Sequence, residues 1–366
     1  MTGSGNISLA QPDPVGWNLA SIEGESVRRV GVVDVGSNSV RLVVFDGMAR
    51  SPAYFYNEKI LCGLGKGLRE TGRLSPEGRA RALNALYRFS ALAQVMQVSS
   101  MTGVATAAVR EASDGMAFRD EVAAKTGLTL HVASGEEEAL LSAKGVLLGW
   151  PQASGLVCDI GGASMELAQV EDGRIGARAT SPLGPLVLSD LGDEGAIDAY
   201  IDAELAKLTE TVSGKGRRIY LVGGSWRAIA RLDMDRRDYP LKVLHEYEMT
   251  SDDAVETCNW LSGRTLDELV SISDSSKERL ELVPLASRVL RRLVKRLEPE
   301  GLTVSSYGLR EGLLYERMPP SLQARDPLLE AARHMEKASA RFPGFGASLY
   351  TWLAPLYAGA DRAQLR

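Results

Sequence analysis

The sequence predicts an α/β protein of two similar domains, and three glycine-containing turns are the basis of this prediction. Two of them lie in repeated segments, residues 30–47 and 156–173, where an apolar strand carries an aspartate near its end, a small-residue turn follows, and a second strand returns. The third turn, Gly223-Gly224-Ser225, also follows an apolar strand but leads into an apparent helix.

Composition narrows the class of protein. With 366 residues, 45% of them hydrophobic, the chain has room for two or three domains with sizeable cores. No apolar run approaches the ~20 residues of a membrane helix, and the N-terminus lacks a signal peptide's basic start and apolar core. We therefore expect a cytoplasmic protein without a membrane partner.

Charge and metal-ligating residues narrow the chemistry. Three scattered cysteines do not predict a disulfide framework, and three scattered histidines do not form a histidine-rich metal site. The net charge is −5, from 42 basic and 47 acidic residues, so any site for an anion must be a local basic patch.

The order of predicted elements divides the chain into four parts. Residues 1–27 are rich in Gly, Ser, Pro and Asn and predict a mobile arm. Residues 28–141 hold the first hairpin, a Gly63–Gly67 turn, a helix from about Ser75, a strand at 101–105 and a helix at 118–126. They predict one α/β domain.

Residues 142–317 repeat this theme and predict the second domain. The second hairpin is followed by a helix at 197–212, the third strand–turn–helix unit, and helices near 251–261, 266–272 and 283–297. A strand at 302–305 and a helix at 309–317 complete it. Two amphipathic stretches, 327–339 and 347–357, predict a short helical tail at 318–366 that serves as a packing element.

The turns themselves predict phosphate binding. Glycines let the backbone approach an anion and expose N–H donors, Ser39 and Ser164 add hydroxyl donors, and Asp34 and Asp159 can hold a hard divalent cation. One such turn alone is more often an ordinary hairpin. The repetition favours the phosphate interpretation.

In its motifs the chain resembles a known family. Two hairpin turns and one strand–Gly-Gly–helix turn, in that order, resemble the nucleotide site of the actin, Hsp70 and sugar-kinase superfamily. At finer grain the chain resembles the exopolyphosphatase/guanosine pentaphosphate phosphohydrolase (Ppx/GppA) family over roughly residues 28 to 317. The motifs are Asp34-Val-Gly-Ser-Asn-Ser39, Ala105-Thr-Ala-Ala-Val-Arg110, Ser134-Gly-Glu-Glu-Glu138, Asp159-Ile-Gly-Gly-Ala-Ser-Met-Glu166, Gly223-Gly-Ser-Trp-Arg227 and Tyr307-Gly-Leu-Arg-Glu-Gly312.

The resemblance implies two duplicated actin-like (ribonuclease H-like) domains around a cleft, a homodimer, and a set of site residues. Glu138 would be the general base, although a carboxylate in the first turn of a helix also suits the helix dipole. Asp159 and Glu166 would hold Mg²⁺. The phosphate-binding residues would be Asp34, Gly36, Ser37, Asn38, Ser39, Arg110, Gly161, Gly162, Ala163, Ser164, Gly223, Gly224, Ser225 and Arg227. The family usually has Gly where this chain has Ala163.

The expected activity is release of terminal orthophosphate from inorganic polyphosphate with Mg²⁺. Guanosine pentaphosphate is an alternative substrate for the same machinery, and a non-catalytic sensor of nucleotide or polyphosphate is an alternative of another class. A sugar or acid kinase is disfavoured because no extra sugar-binding domain is evident, and no nucleic-acid partner is expected. A basic track for long chains could run along Lys66, Arg69, Arg73 and the helix that contains Arg288–Arg296.

Overall fold

A computed structural model describes residues 29–273, 275–339, 341–342 and 344–357. The arm predicted at residues 1–27 lies outside the described residues. The strands are β1 (Val30–Val35), β2 (Ser39–Phe45), β3 (Tyr54–Leu61), β4 (Ser100–Ala105), β5 (Leu130–Val132), β6 (Gly155–Ile160), β7 (Met165–Glu171), β8 (Arg174–Ser181), β9 (Ile219–Val222), β10 (Glu248–Met249) and β11 (Leu302–Val304).

The helices lie between groups of these strands and after the last strand. They are α1 (Leu68–Thr71), α2 (Pro76–Val95), α3 (Ala107–Glu111), α4 (Gly115–Thr126), α5 (Gly135–Gly149), α6 (Pro185–Ser189), α7 (Glu194–Thr211), α8 (Gly224–Arg236), α9 (Ser251–Ser262), α10 (Leu266–Ile272), α11 (Lys277–Leu280), α12 (Val283–Leu297), α13 (Leu309–Glu316), α14 (Pro320–Gln323), α15 (Pro327–Ser339) and α16 (Phe345–Leu353), followed by a 3₁₀ turn at Ala354–Tyr357.

The described strands form two mixed sheets of repeated topology, which confirms the predicted duplication. The first sheet has the order β3-β2-β1-β4-β5, and the second contains the equivalent order β8-β7-β6-β9-β11, with β10 added antiparallel to β11. Strands β1 and β6 are central and almost fully buried, because helices cover both faces of each sheet. This burial explains why the two strands are the clearest apolar runs in the sequence.

Helices α5 and α13 lie between the two sheets. Leu141 and Leu148 of α5 pack on the first sheet, whereas Val146 and Leu147 pack on the second. The two helices approach closely, because a Cβ atom at Gly312 would lie 1.8 Å from the carbonyl oxygen of Leu141. The predicted domain boundary after residue 141 therefore falls inside a continuous helix.

Local signals place most helices correctly. Ser75 caps α2 by accepting from Gly78 N–H at 3.1 Å, and α10 and α12 have the predicted bounds. The last helix begins at Phe345, two residues before the prediction. Strands β3 and β8 were not predicted, because each is an edge strand with irregular exposure and little apolar alternation.

The start of the tail is part of the body. Met318 is buried with residues of the first sheet and of α5. The fully buried Arg50 donates to the carbonyls of Leu147 and Leu148 at the end of α5, and to those of Gln323 and Arg325 at 3.1 and 3.0 Å. Residues 318–325 are thereby attached to both the first sheet and α5. No helix of the described chain is long and apolar enough to cross a membrane.

Candidate active site

A cleft of about 220 Å³ lies between the two sheets, at the ends of β1 and β6 where the two repeated turns face each other. Every predicted site residue except Arg110 lines this cleft. The duplicated fold brings them together because the corresponding strand ends of both domains point toward the domain interface.

Each of the two hairpin turns has the same internal hydrogen bond. Gly36 N–H donates to the carbonyl of Ser39 at 3.0 Å, and Gly161 N–H donates to that of Ser164 at 2.9 Å. These two glycine N–H groups are therefore used within the turns. In the second turn Ala163 does not have a positive φ, so alanine is tolerated at this position without strain.

The carbonyls of the first turn face away from the cleft. Ser37 accepts from Gly65 N–H at 2.8 Å, and Asn38 accepts from the N–H groups of Cys62 and Gly63. Because the C=O and N–H of a trans peptide point in opposite directions, the N–H groups of Asn38 and Ser39 are directed away from this loop. The Gly63–Gly67 turn thus supports the first turn from behind.

The third turn places a helix N-terminus at the cleft. Gly223 has φ +112°, and a Cβ there would lie 2.4 Å from the carbonyl oxygen of Ile160. Glycine is therefore required at this position. It allows α8 to start beside Asp159, with the free N–H groups of its first turn and the positive end of its dipole toward an anion in the cleft.

Asp159 and Glu166 are direct partners across the β6–β7 hairpin, so both side chains stand on the same face of the sheet. Ser142 Oγ donates to Asp159 Oδ2, and Thr180 Oγ1 donates to Glu166 Oε1 at 3.0 Å. Burial raises the pKa of both carboxyls, and repulsion from Glu138 and Asp159 raises that of Glu166 further. An added cation would relieve this repulsion.

Glu138 lies in the first turn of α5, with its side chain buried at the cleft. Its neighbour Glu137 completes a capping box with Ser134, as expected for a carboxylate at a helix start. Glu138 instead accepts from Arg110 Nη1, which also donates to the carbonyl of Ala133 at 2.7 Å. Burial, partly opposed by Arg110, raises the pKa of Glu138 to about 7.

Arg110 therefore contacts Glu138 and does not line the cleft, so the structure gives no support to its predicted contact with phosphate. The alignment of motifs placed it near the site correctly. The motifs did not reveal that Arg110 pairs with Glu138, because α3 and α5 meet only in the tertiary structure.

The donor set fits Mg²⁺. In the described part of the chain, no three His, Cys, Asp or Glu side chains converge in a metal-binding cluster. Mg²⁺ needs no such cluster, because it keeps several waters and takes one or two protein carboxylates. The paired oxygens of Asp159 and Glu166, whose negative charge is poorly solvated, match this requirement.

A group of cations forms the wall opposite these carboxylates, and most of them were not predicted. They are Arg41, Lys59, Arg227, Arg279 and Arg310. Arg310 is partly buried, and its Nη1 atom lies 3.5 Å from Oδ2 of Asp34. Burial and the neighbouring arginines lower the pKa of Lys59 to about 8, which shows how closely the positive charges gather.

The sequence signals for this wall are weak. Arg310 occurs within the motif at residues 307–312, yet nothing local distinguishes it from a surface arginine. Lys59 lies on the unpredicted edge strand β3. Arg279 lies on α11, which is a single turn of helix.

The structure gives no support to the predicted basic track along α12. Arg288 and Arg292 pair with Asp198 of α7, at 3.6 and 2.7 Å, and no basic residue of α12 lines the cleft. Arg73 pairs with Asp114 at 3.6 Å, and neither Lys66 nor Arg69 lines the cleft. The amphipathic face of α12 reflects its packing between the domain core and α7.

Comparison with known proteins agrees with these features. A sequence model of the Ppx/GppA phosphatase family matches residues 43–321. Exopolyphosphatase 2 of Mycobacterium tuberculosis is 26% identical over 313 residues, covering 79% of this chain and 98% of the relative. Exopolyphosphatase 1 of Mycobacterium leprae is 25% identical over 304 residues, covering 79% and 89%.

Solved structures show the same fold. An exopolyphosphatase from Cytophaga hutchinsonii superposes with a TM-score of 0.72 at 25% identity, covering 82% of this chain and 99% of that one. The Ppx/GppA phosphatase of Aquifex aeolicus gives a TM-score of 0.65 at 24% identity, covering 80% and 100%. The family match, together with the duplicated fold, establishes that this chain belongs to the Ppx/GppA phosphatase family.

Proposed function

We propose that this protein is an exopolyphosphatase that releases terminal orthophosphate from inorganic polyphosphate. The observation that carries the proposal is the juxtaposition of a buried carboxylate, Glu138, with the Asp159–Glu166 pair in a cleft walled by five cations. Hydrolysis of a phosphoanhydride needs a base for the attacking water and positive charge around the transferred group. Both requirements are met by residues of this cleft.

In the proposed reaction, Glu138 accepts a proton from water while the water oxygen forms a bond to the terminal phosphorus. The bridging P–O bond breaks, and its electron pair stays with the shortened chain. A base with a pKa near neutrality is effective in this step, and that of Glu138 is raised to about 7. Mg²⁺ bound at Asp159 and Glu166 would neutralise charge on the phosphoryl oxygens.

The remaining groups would hold the substrate. The N–H groups of the two hairpin turns and of the start of α8 suit the oxygens of the terminal phosphates. Arg227 and Arg310, which are partly buried at the cleft, suit bidentate contact with phosphate. The relatives named exopolyphosphatase support polyphosphate as the substrate.

The test is orthophosphate release from long-chain polyphosphate, guanosine pentaphosphate and ATP, measured side by side with Mg²⁺. We expect the highest kcat/KM with polyphosphate. Preference for guanosine pentaphosphate would replace the proposed substrate. Binding without release from any of the three would support a sensor.

Replacing Asp159 with asparagine should weaken magnesium activation and activity together, because a neutral amide is a poorer ligand for a hard cation. The magnesium concentration for half-maximal activity should rise by at least the ~10–100-fold typical of losing an outer-sphere partner. A magnesium titration of the variant and the wild type measures this. An unchanged titration curve would assign the metal to other residues.

Removing charge in the cleft should matter, whereas removing it on α12 should not. Lys59→Met should raise KM for polyphosphate roughly fivefold, as for a partly exposed ion pair worth ~1 kcal/mol. The matched change Lys295→Met, at an exposed position of α12, should leave KM unchanged. The test is to measure KM for polyphosphate with both variants at two salt concentrations. Equal increases in KM for the two variants would support a basic track along α12.

A further inference from the structure

Two hydroxyl side chains contact the carboxylates proposed to bind Mg²⁺, and sequence analysis identified neither. Ser142 is 1% exposed and donates to Asp159 Oδ2. Thr180 on β8 is the strand partner of Glu166 and donates to its Oε1 at 3.0 Å. Asp159 thus accepts a hydrogen bond from Ser142, and Glu166 accepts one from Thr180 in addition to one from Ser164.

Both hydroxyl residues also belong to the packing of α5, the helix that carries Glu138. Ser142 lies four residues after Glu138, on the same face of α5. Thr180 packs on the first residue of that helix, since a Cβ at Gly135 would lie 2.2 Å from Thr180 Cγ2. The first residue of α5 therefore packs on Thr180, and the middle of the same helix contributes Ser142.

We infer that Ser142 and Thr180 are positioning residues that fix the orientation of the magnesium-binding carboxylates relative to the helix of the general base. The inference rests on the proposed function. When one oxygen of a carboxylate accepts a hydrogen bond from a fixed hydroxyl, the other oxygen points in a defined direction. Without the hydroxyls, the repulsion between the two buried carboxylates would favour side-chain rotations that separate them.

Loss of such outer-sphere partners typically weakens metal affinity by about 10–100-fold. Thr180→Val removes the hydroxyl and keeps the shape, whereas Thr180→Ser keeps the hydroxyl and removes only the methyl group. Ser142→Ala tests the second contact independently. Ser181→Ala is the control, because Ser181 is the next residue of β8, is buried like Ser142, and donates its hydroxyl to Glu204 at 2.8 Å.

The experiment is calorimetric titration of each full-length variant with MgCl₂ in the absence of substrate, with thermal unfolding to verify folding. We expect Thr180→Val and Ser142→Ala to raise the Kd for Mg²⁺ about 10–100-fold, and Thr180→Ser and Ser181→Ala to stay within threefold of wild type. If Thr180→Val does not fold, the comparison of Ser142→Ala with Ser181→Ala provides the test.

Folded variants without their hydroxyls that bind Mg²⁺ within threefold of wild type would overturn the inference. So would a Thr180→Ser variant as weak as Thr180→Val, because the methyl group would then be the important part. Magnesium binding is measured without polyphosphate. A wild-type protein that fails to hydrolyse polyphosphate would therefore refute the proposed function, but the Kd values for Mg²⁺ would still test the role of Ser142 and Thr180.

Discussion

Replacing Glu138 with glutamine should lower kcat for polyphosphate by the ~10²–10⁴-fold typical of a lost general base, without unfolding the protein. The amide cannot take the proton from water. Its oxygen can still accept the hydrogen bond from Arg110 Nη1, so the start of α5 keeps its main polar contact. KM should change little, because Glu138 is assigned to the water and not to the phosphates.

Steady-state orthophosphate release and direct polyphosphate binding measure these two effects separately. Glu136→Gln is the matched control, since it makes the same chemical change two residues earlier, at an exposed position in the same helical turn. Its kcat should stay within twofold of wild type. A kcat for Glu138→Gln within threefold of wild type would remove Glu138 from the role of base.

Truncation after residue 317 should destabilise the protein strongly, whereas truncation after residue 326 should not. The shorter chain loses the buried Met318, worth ~1.5–3 kcal/mol, and both carbonyl acceptors of Arg50 Nε, which would leave this one donor unsatisfied at a cost of ~1–3 kcal/mol. The longer chain keeps all of these contacts. Truncation after residue 326 removes mainly α15 and α16, whose large apolar side chains are largely exposed.

Thermal unfolding of the two truncated proteins and of the full chain measures this difference. Activity of the chain ending at residue 326 should match that of the full chain, because every residue assigned to the cleft precedes residue 311. Equal melting temperatures for the two truncations would show that residues 318–325 do not stabilise the body. In that case the short tail would be expendable from residue 318 onward.

The features that the sequence predicted correctly are those encoded within a few neighbouring residues. The apolar runs of β1 and β6, the small-residue turns after them and the serine cap of α2 each depend on local chemistry. Since the same strand–turn–strand unit occurs twice, the repeated sheet could be inferred as well. All the site residues predicted from the motifs, except Arg110, line the cleft.

The edge strands and the partners of charged side chains required the structure. Lys59 and Arg279 are more than two hundred residues apart in the chain, and only the docking of the two domains places them at one cleft. Arg292 has the same local appearance as a phosphate-binding residue, yet it pairs with Asp198 of α7. An arginine alone does not indicate whether a carboxylate or a phosphate will face it.

The sequence by itself thus determined the duplicated α/β fold, the three glycine-containing turns and the carboxylates beside them, because strand burial, glycine geometry and helix capping act over short stretches of chain. Only the tertiary structure decided that Arg110 contacts Glu138, that Ser142 and Thr180 hold the carboxylate pair, and that Arg50 attaches the start of the tail to α5. Each of these contacts joins separate elements, and its existence depends on how whole helices and sheets pack.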